Sequence, residues 1–349
     1  MTTKKIIYGI QQVGVGVTDA QEAFRWYAKH LGADLMVFDD HNVAEDMARY
    51  MGGQPRAKHA ILAMNHTGGG GYEIWQYSER EPQAADFSIL LGDTGVNFMT
   101  IKSYDVPRAY EQLQGSGATL LTEPADGKDG HPAFYFKDPY GNLIHCKHSD
   151  NWFSKKNGIF GAVLGVGIGV SDIDAALPLY SGVLGYSKVV YDYVDESNAE
   201  AGRLRRVLLR REQYPTGGFS PLLGESEVEL IQALDRQSRK IFEDRYWGDL
   251  GYIHVCFDTR NIQDLIQECA AAGFPFTVQS DPNFEMGDTN GAWGYLEDAD
   301  GSLVEFVEAH KVPLIKALNW SIQLKGRDPH KPLPNWLLKA MATKRVRVS

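Results

Sequence analysis

The stretch "QQVGVGVTDA", residues 11–20, returns once, as "LGVGIGVSDI", residues 164–173. In both, aliphatic residues alternate with glycines and run into a Thr-Asp or Ser-Asp pair. Val13, Val15 and Val17 share one face of a strand, and Gln12, Gly14 and Gly16 share the other. The valine face has the bulk to pack on a helix, whereas the glycine face leaves space beside it. A dinucleotide-binding loop is the competing reading of so much glycine. That loop needs its glycines in the turn between strand and helix, not alternating through the strand, and the pattern argues against it.

A helix is expected directly after each strand. In the first copy Thr18 or Asp19 is the N-cap, Phe24, Tyr27 and Leu31 recur at helical spacing, and Gly32 is the C-cap. In the second, Ser171-Asp172 opens "DIDAALPLYSGVLG", where Pro178 should kink or weaken the helix. Strands follow around "HAILAMNH" and "GYEIWQY", and again around "LRRVLLRR" and "EVELIQAL". Each half then repeats itself. "GVNFMTIKSYDVPRAYEQLQGSGA" and "GYIHVCFDTRNIQDLIQECAAAG" are strand then helix, and "FYFKDPYGNLIHCKH" and "WGYLEDADGSLVEFVE" are hairpins around Asp138-Pro139-Tyr140-Gly141 and Asp298-Ala299-Asp300-Gly301. The chain therefore reads as two tandem domains, 1–149 and 160–310, of two modules each: 7–78 and 94–149, then 160–235 and 250–310. Residues 311–349 form a basic extension, expected to be helical.

Composition sets the outer bounds. The 349 residues are 43% hydrophobic and 23% charged, an ordinary globular balance with enough length for two cores. Three cysteines, Cys146, Cys256 and Cys269, make neither a disulfide framework nor a metal motif, and point to a reducing, cytoplasmic setting. No apolar run is long enough to span a membrane, and the first residues do not resemble a signal peptide. The net charge of −10 is uneven. Residues 311–349 carry nine Lys or Arg, Lys316 among them, against the single acid Asp328, a net +8, which leaves −18 on the rest. An acidic body excludes nucleic acid as the expected partner; the basic tail is expected to dock on that body, on a neighbouring subunit, or to remain solvated.

Four such modules resemble the vicinal oxygen chelate superfamily, which includes glyoxalase I, extradiol dioxygenases, methylmalonyl-CoA epimerase and bleomycin-resistance proteins. The resemblance spans about residues 7–310 and rests on "VGVGVTDAQEAFRWYAKHLGA", "VGIGVSDIDAALPLYSGVLGY", "DPYGNLIHCKH" and "DADGSLVEFVE". It implies an α+β fold of four βαβββ modules forming two half-open, glyoxalase-like barrels, each cup made by two modules around one divalent metal. It also implies ligands from the first and last strand of each contributing module. Those positions are Gln12, Asn97, Gly165 and His254 on first strands, and Glu73, His145, Glu229 and Glu305 on last strands.

Two pairings of modules remain open at this level. If each half is its own cup, modules one and two offer Gln12, Glu73, Asn97 and His145, and modules three and four offer Gly165, Glu229, His254 and Glu305; neither set is complete, though the second keeps three good ligands. Modules one and four offer a complete set, Gln12, Glu73, His254 and Glu305, and leave Asn97, His145, Gly165 and Glu229 as a decayed counterpart. The second partition is favoured because it sorts complete from incomplete, and His254 and Glu305 belong to both. Singly, each residue has a plainer reading: Glu73 and Glu229 as strand carboxylates, His254 as a core histidine, and His59, His66, His145 and His148 as ordinary structural histidines.

One imidazole, two carboxylates and an amide suit Zn, Ni, Co, Mn or Fe as the divalent ion. Such an ion chelates neighbouring oxygens of a small-molecule substrate and stabilises an enolate, while Glu305, or else Glu73, removes a proton alpha to the carbonyl. The expectation is isomerase, epimerase or lyase chemistry in a monomer or homodimer. An Fe(II) extradiol dioxygenase is the runner-up, since two histidines and one carboxylate are not all present. A metal-free binding protein of the bleomycin-resistance kind is the third reading. Gly14 and Gly16 are expected to hollow the cup for a bulky substrate.

Overall fold

The computed structural model describes residues 4–155, 158–281, 284–286, 289–315 and 320–348. Lys316 lies outside the described residues. The two glycine-valine stretches are strands, Ile6–Gly16 and Phe160–Gly169, with every valine and isoleucine of the alternation fully or almost fully buried. Asp19 caps the first helix, Ala20–Leu31, by accepting from the Glu22 amide at 2.8 Å, and Gly32 ends it in the left-handed conformation at φ 70°. Asp172 caps the second. There the proline has the expected effect: the α-turns stop at Leu177 and residues 178–183 continue as a wider π-type turn.

The described strands form two large curved sheets, and each sheet takes one module from each half of the sequence. In the first, strand Ile6–Gly16 of module one runs antiparallel to Gly251–Arg260 of module four, with Gln12 opposite Cys256 and Gly14 opposite His254. Gly71–Tyr77 flanks the pair on one side and Leu303–Ile315 on the other, both in parallel register. In the second, Phe160–Gly169 of module three pairs with Gly95–Ser103 of module two, flanked by Glu227–Ala233 and Leu143–His148. Residues 1–149 and 160–310 are thus halves of the sequence, while the cups are crossed between them.

The two sheets lie back to back over one core. Val13, Val15, Val166, Ile168, Val255 and Met99 meet there with Tyr27, Tyr180 and other residues of the helices. Two buried hydrogen bonds lock the sheets together. The Tyr27 hydroxyl, on the helix of module one, donates to Asp138 in the hairpin turn of module two at 2.5 Å. The Tyr180 hydroxyl, on module three, donates to Asp298 in the turn of module four at 2.8 Å. Each turn carboxylate also takes backbone amides of its own turn, which is why both hairpins carry an aspartate at the same place.

The extension beyond residue 310 departs from the helical expectation. Strand Leu303–Ile315 runs on into it, Trp320–Gln323 pairs back on that strand, and among the described residues helix is confined to 335–344, a six-residue α-helix and a 3-10 turn. It docks on module one. Arg345 grips Asp34 through two hydrogen bonds of 2.9 and 2.6 Å, and Leu337, Leu338 and Met341 join Tyr8, Leu35, Met64 and Leu222 in a second apolar cluster. All three cysteines are buried and unpaired in disulfides.

Tyr27→Phe leaves the Asp138 carboxyl buried with one partner fewer. The expected cost is about 1–3 kcal/mol, read as a lower urea midpoint at unchanged m-value; an unchanged midpoint would mean that this bond does not hold the sheets.

Candidate functional site

Four adjacent strands of the first sheet each bring one polar side chain to the concave face. In order across the sheet these are Glu305, His254, Gln12 and Glu73. The Gln12 amide donates to Glu73 Oε2 at 3.0 Å and to Glu305 Oε2 at 3.4 Å. His254 Nε2 lies 3.1 Å from Glu73 Oε2 and 3.1 Å from Glu305 Oε2. It is aligned for a hydrogen bond with neither, and Nδ1 has no partner either, although the ring is 0% exposed. Trp247 lies parallel to the imidazole at 6.1 Å and Tyr295 meets it edge-on at 5.4 Å.

Burial alone would lower the His254 pKa, but the two carboxylates outweigh it and hold the group up at about 9. Burial alone would raise that of Glu73. The imidazole, the Lys58 ammonium and the Gln12 amide reverse this and hold it below the usual carboxylate range. A buried imidazole with no aligned hydrogen bond, between two carboxylates, is a donor set that could hold a divalent cation, and the Gln12 amide, which now turns its nitrogen to the carboxylates, would have to turn over to offer its oxygen.

The glycines beside the quartet have a different purpose from the one their pattern suggests. A Cβ on Gly14 would lie 2.5 Å from Cε1 and 2.7 Å from Nδ1 of His254. A Cβ on Gly16 would lie 2.0 Å from the Asp249 carbonyl oxygen, in the linker crossing the strand end. Gly14 makes room for the imidazole and Gly16 for backbone, so neither hollows the cup. The open space lies beside them. It is a cavity of about 380 Å³ bounded by Gln12, Glu73 and Glu305 at one end and walled by side chains such as Leu62, Met64, Val307 and Leu222.

The other cup corrects one assignment. Gly167 faces Phe98, as Gly14 faces His254, so the position equivalent to His254 is Phe98 and not Asn97. Asn97 turns aside to bond the Asp93 and Gly95 carbonyls and the Gly92 amide. The error is one residue of register, and aligning "GVNF" (95–98) with "GYIH" (251–254) on their glycines would have avoided it. The remaining positions are occupied by protein partners. Glu229 takes the Arg206 guanidinium at 2.6 Å, Arg206 also donates to the Tyr135 hydroxyl at 2.9 Å, and Tyr135 stacks on His145 at 4.4 Å. Burial, with Lys147 and Arg206 nearby, holds His145 neutral, well below its usual pKa.

The other histidines behave as structural groups. His66 bonds the Leu338 carbonyl, and His148 lies 3.5 Å from the Asp150 carboxylate. His59 pairs with Asp39 at 2.7 Å and stacks on His41 at 3.8 Å, near the sheet edge. Tyr295 is among the aromatic residues the sequence offers for a binding cup or a plain core, but sequence reasoning missed its companion in the roof, Trp247, and the floor. The floor comes from the turn holding Phe219, Leu222 and Leu223, and from Met341 of the extension. Only the apolar character of these residues marks them in the sequence.

Gly14→Ala should displace the imidazole and weaken divalent-metal uptake about 10–100-fold, the usual cost of misorienting a ligand, with the fold retained. Gly167→Ala meets Phe98 instead and should lower stability while leaving metal affinity unchanged. Equal metal affinity in both variants, measured by competition with a chelating dye, would remove His254 from the donor set.

The comparisons with known proteins agree with this architecture. Residues 9–146 match one family model, and residues 165–292 another, both described as the Glyoxalase/Bleomycin resistance protein/Dioxygenase superfamily. Among solved structures, a "putative dioxygenase" from Bacillus subtilis subsp. subtilis str. 168 is similar at 14% identity and a TM-score of 0.59, over 87% of this chain and 86% of that one. Glyoxalase I from Zea mays is similar at 14% identity and a TM-score of 0.53, over 87% and 92%. At these identities the likeness speaks for the fold. No curated protein matches the chain. No helix among the described residues is long and apolar enough to cross a membrane. The two family models together span most of the chain, and the protein belongs to the Glyoxalase/Bleomycin resistance protein/Dioxygenase superfamily in a four-module tandem form.

Proposed function

We propose that the chain is a divalent-metal-dependent enzyme of the glyoxalase type, an isomerase, epimerase or lyase acting on a small molecule. One metal would be held by Gln12, Glu73, His254 and Glu305. The observation that carries this reading is His254, fully buried between two carboxylates with neither nitrogen in an aligned hydrogen bond. A buried polar group without a partner costs roughly 1–3 kcal/mol, and a cation at Nε2 offsets that cost. A bound ion supplies Lewis acidity to two neighbouring oxygens of the substrate.

The chain's own residues divide the remaining work. Glu73 takes the shorter bond from Gln12 and feels the Lys58 charge, so it is held ionised and in place. Glu305 has only the longer, 3.4 Å bond from the same amide. It is the carboxylate we assign to accept the proton alpha to the substrate carbonyl, and to return it to the neighbouring carbon or the opposite face. Trp247 and Tyr295 close the site against water, which strengthens the charge interactions inside it.

Metal content and turnover test this together. Gln12→Ala and Glu73→Ala should lower metal uptake more than Glu229→Ala, because Glu229 is committed to Arg206 in the other cup. Glu305→Gln should keep much of the metal, since an amide oxygen can still coordinate. It should lose turnover and solvent-deuterium incorporation at the substrate's alpha carbon by about 100-fold or more. Oxygen consumption with ring cleavage of a catechol by the iron-loaded protein would promote the dioxygenase reading instead. Tight binding of an apolar ligand by a protein that takes up no metal would promote sequestration.

A further inference from the structure

The cavity has a second polar end that the quartet does not use. His254, Cys256 and Asp258 alternate along one strand and so share its concave face. Asp258 lies four residues from His254, about 13 Å along the strand at roughly 3.3 Å per residue. Its side chain lines the same cavity as Gln12, Glu73 and Glu305. Between the two ends Leu62, Met64, Val307, Ala309 and Leu222 wall the cavity, and Gln11, which accepts from the Cys256 thiol at 3.3 Å, lines it beside them.

Asp258 is 4% exposed, and among the described residues no hydrogen bond or ion pair reaches its carboxyl. Arg260 acts on it through charge alone, and the hydrogen bonds of the neighbouring groups go elsewhere. Arg260 pairs with Glu308 at 3.2 Å and donates to the Leu324 carbonyl at 2.9 Å, and the Tyr8 hydroxyl donates to the Pro329 carbonyl. Burial, with the Glu308 charge close by, raises the Asp258 pKa to about 8. The second cup supplies a contrast. In the register that equates Phe98 with His254, the residue equivalent to Asp258 is Lys102, whose ammonium is satisfied by the Asn151 carbonyl at 2.8 Å. The cup that lacks the quartet satisfies its end group internally, and the cup that has the quartet leaves its own open.

We propose that Asp258 receives the far end of the substrate, and that the substrate is elongated: a vicinal-oxygen head at the quartet, an apolar body of roughly six to eight carbons, and a terminal amine. The assignment of the head rests on the function proposed above; the assignment of the amine end does not.

Two probes on the full-length chain separate the two. In the first, octanohydroxamate and 8-aminooctanohydroxamate, whose heads present two adjacent oxygens, are titrated calorimetrically into the zinc-loaded protein. The amino-terminated probe should bind about tenfold more tightly. Asp258→Leu should reverse that preference and Asp258→Asn should erase it, with metal content unchanged in both. In the second, n-octylamine and octanoate are compared as thermal stabilisers of the metal-free protein. Octylamine should raise the melting temperature more than octanoate, and in Asp258→Leu the difference should vanish. Equal effects of amine and carboxylate on the wild type, or a preference for amine that survives Asp258→Leu, would overturn the proposal. Loss of hydroxamate binding with the octylamine preference retained would overturn the metal reading and leave the assignment of Asp258 supported.

Discussion

Everything in the site depends on one strand pair, Ile6–Gly16 against Gly251–Arg260. These segments stand at opposite ends of the repeat, so the pairing closes a loop of well over two hundred residues. Its register sets Gly14 against His254, and the missing side chain of Gly14 is the volume the imidazole fills. One residue of slip would turn His254 to the outer face and bring Val255 into the cup. The flanking strands are parallel to this pair, and they deliver Glu73 and Glu305 at matching heights on either side. A buried imidazole within reach of two carboxylates is therefore a consequence of register, not of local sequence.

The same construction, carried out with other residues, gives the second sheet. Gly167 again makes room for a ring, but the ring is Phe98, which has no lone pair to offer. Gly165 stands where Gln12 stands in the first cup, so an amide is missing too. The carboxylate Glu229 survives and is neutralised by Arg206, which also reaches Tyr135 and Asp195. One geometry thus carries two chemistries. In one cup ion pairs and stacked rings occupy the positions of the quartet, whereas the other keeps a charged cluster at the head of a cavity.

The modular architecture was legible because it is written in short-range patterns: alternation, Asp caps, hairpin aspartates and a repeat. The crossed pairing was legible only indirectly, through the way chemistry sorts when modules are combined. Gln12, Glu73, His254 and Glu305 combine an imidazole, two carboxylates and an amide, whereas every set that takes Gly165 lacks a ligand at that position. The misplacement of Asn97 shows the limit of that method. Asparagine is the more plausible ligand than phenylalanine, so chemical preference drew the reading one residue away from the register. The role of the glycines was misjudged for a related reason. An alternating glycine face reports that something approaches closely, but not whether it is substrate, a side chain or, as at Gly16 and Asp249, backbone. The floor from residues 219–223 and Met341 left no pattern, because an apolar side chain in a turn or a tail looks the same whether it closes a cavity or joins a core.

The filled cup also helps to explain how the open one is tolerated. A cavity of about 380 Å³ removes packing contacts from every side chain that lines it, and the groups left in it, His254 and Asp258, are desolvated without full hydrogen bonding. Such a sheet needs rigidity from elsewhere. It rests its valine face on the valine face of the other sheet, so the two share one core. The Tyr27–Asp138 and Tyr180–Asp298 bonds each tie a helix of one sheet's modules to a hairpin of the other's. In the second sheet the buried carboxylates Glu229 and Glu227 are paired with Arg206, Arg210 and Lys147. A scaffold of two sheets can then place the strain of a binding site in one and the bracing in the other, and Phe98 and Gly165, which offer no ligand atom, suit the sheet that braces.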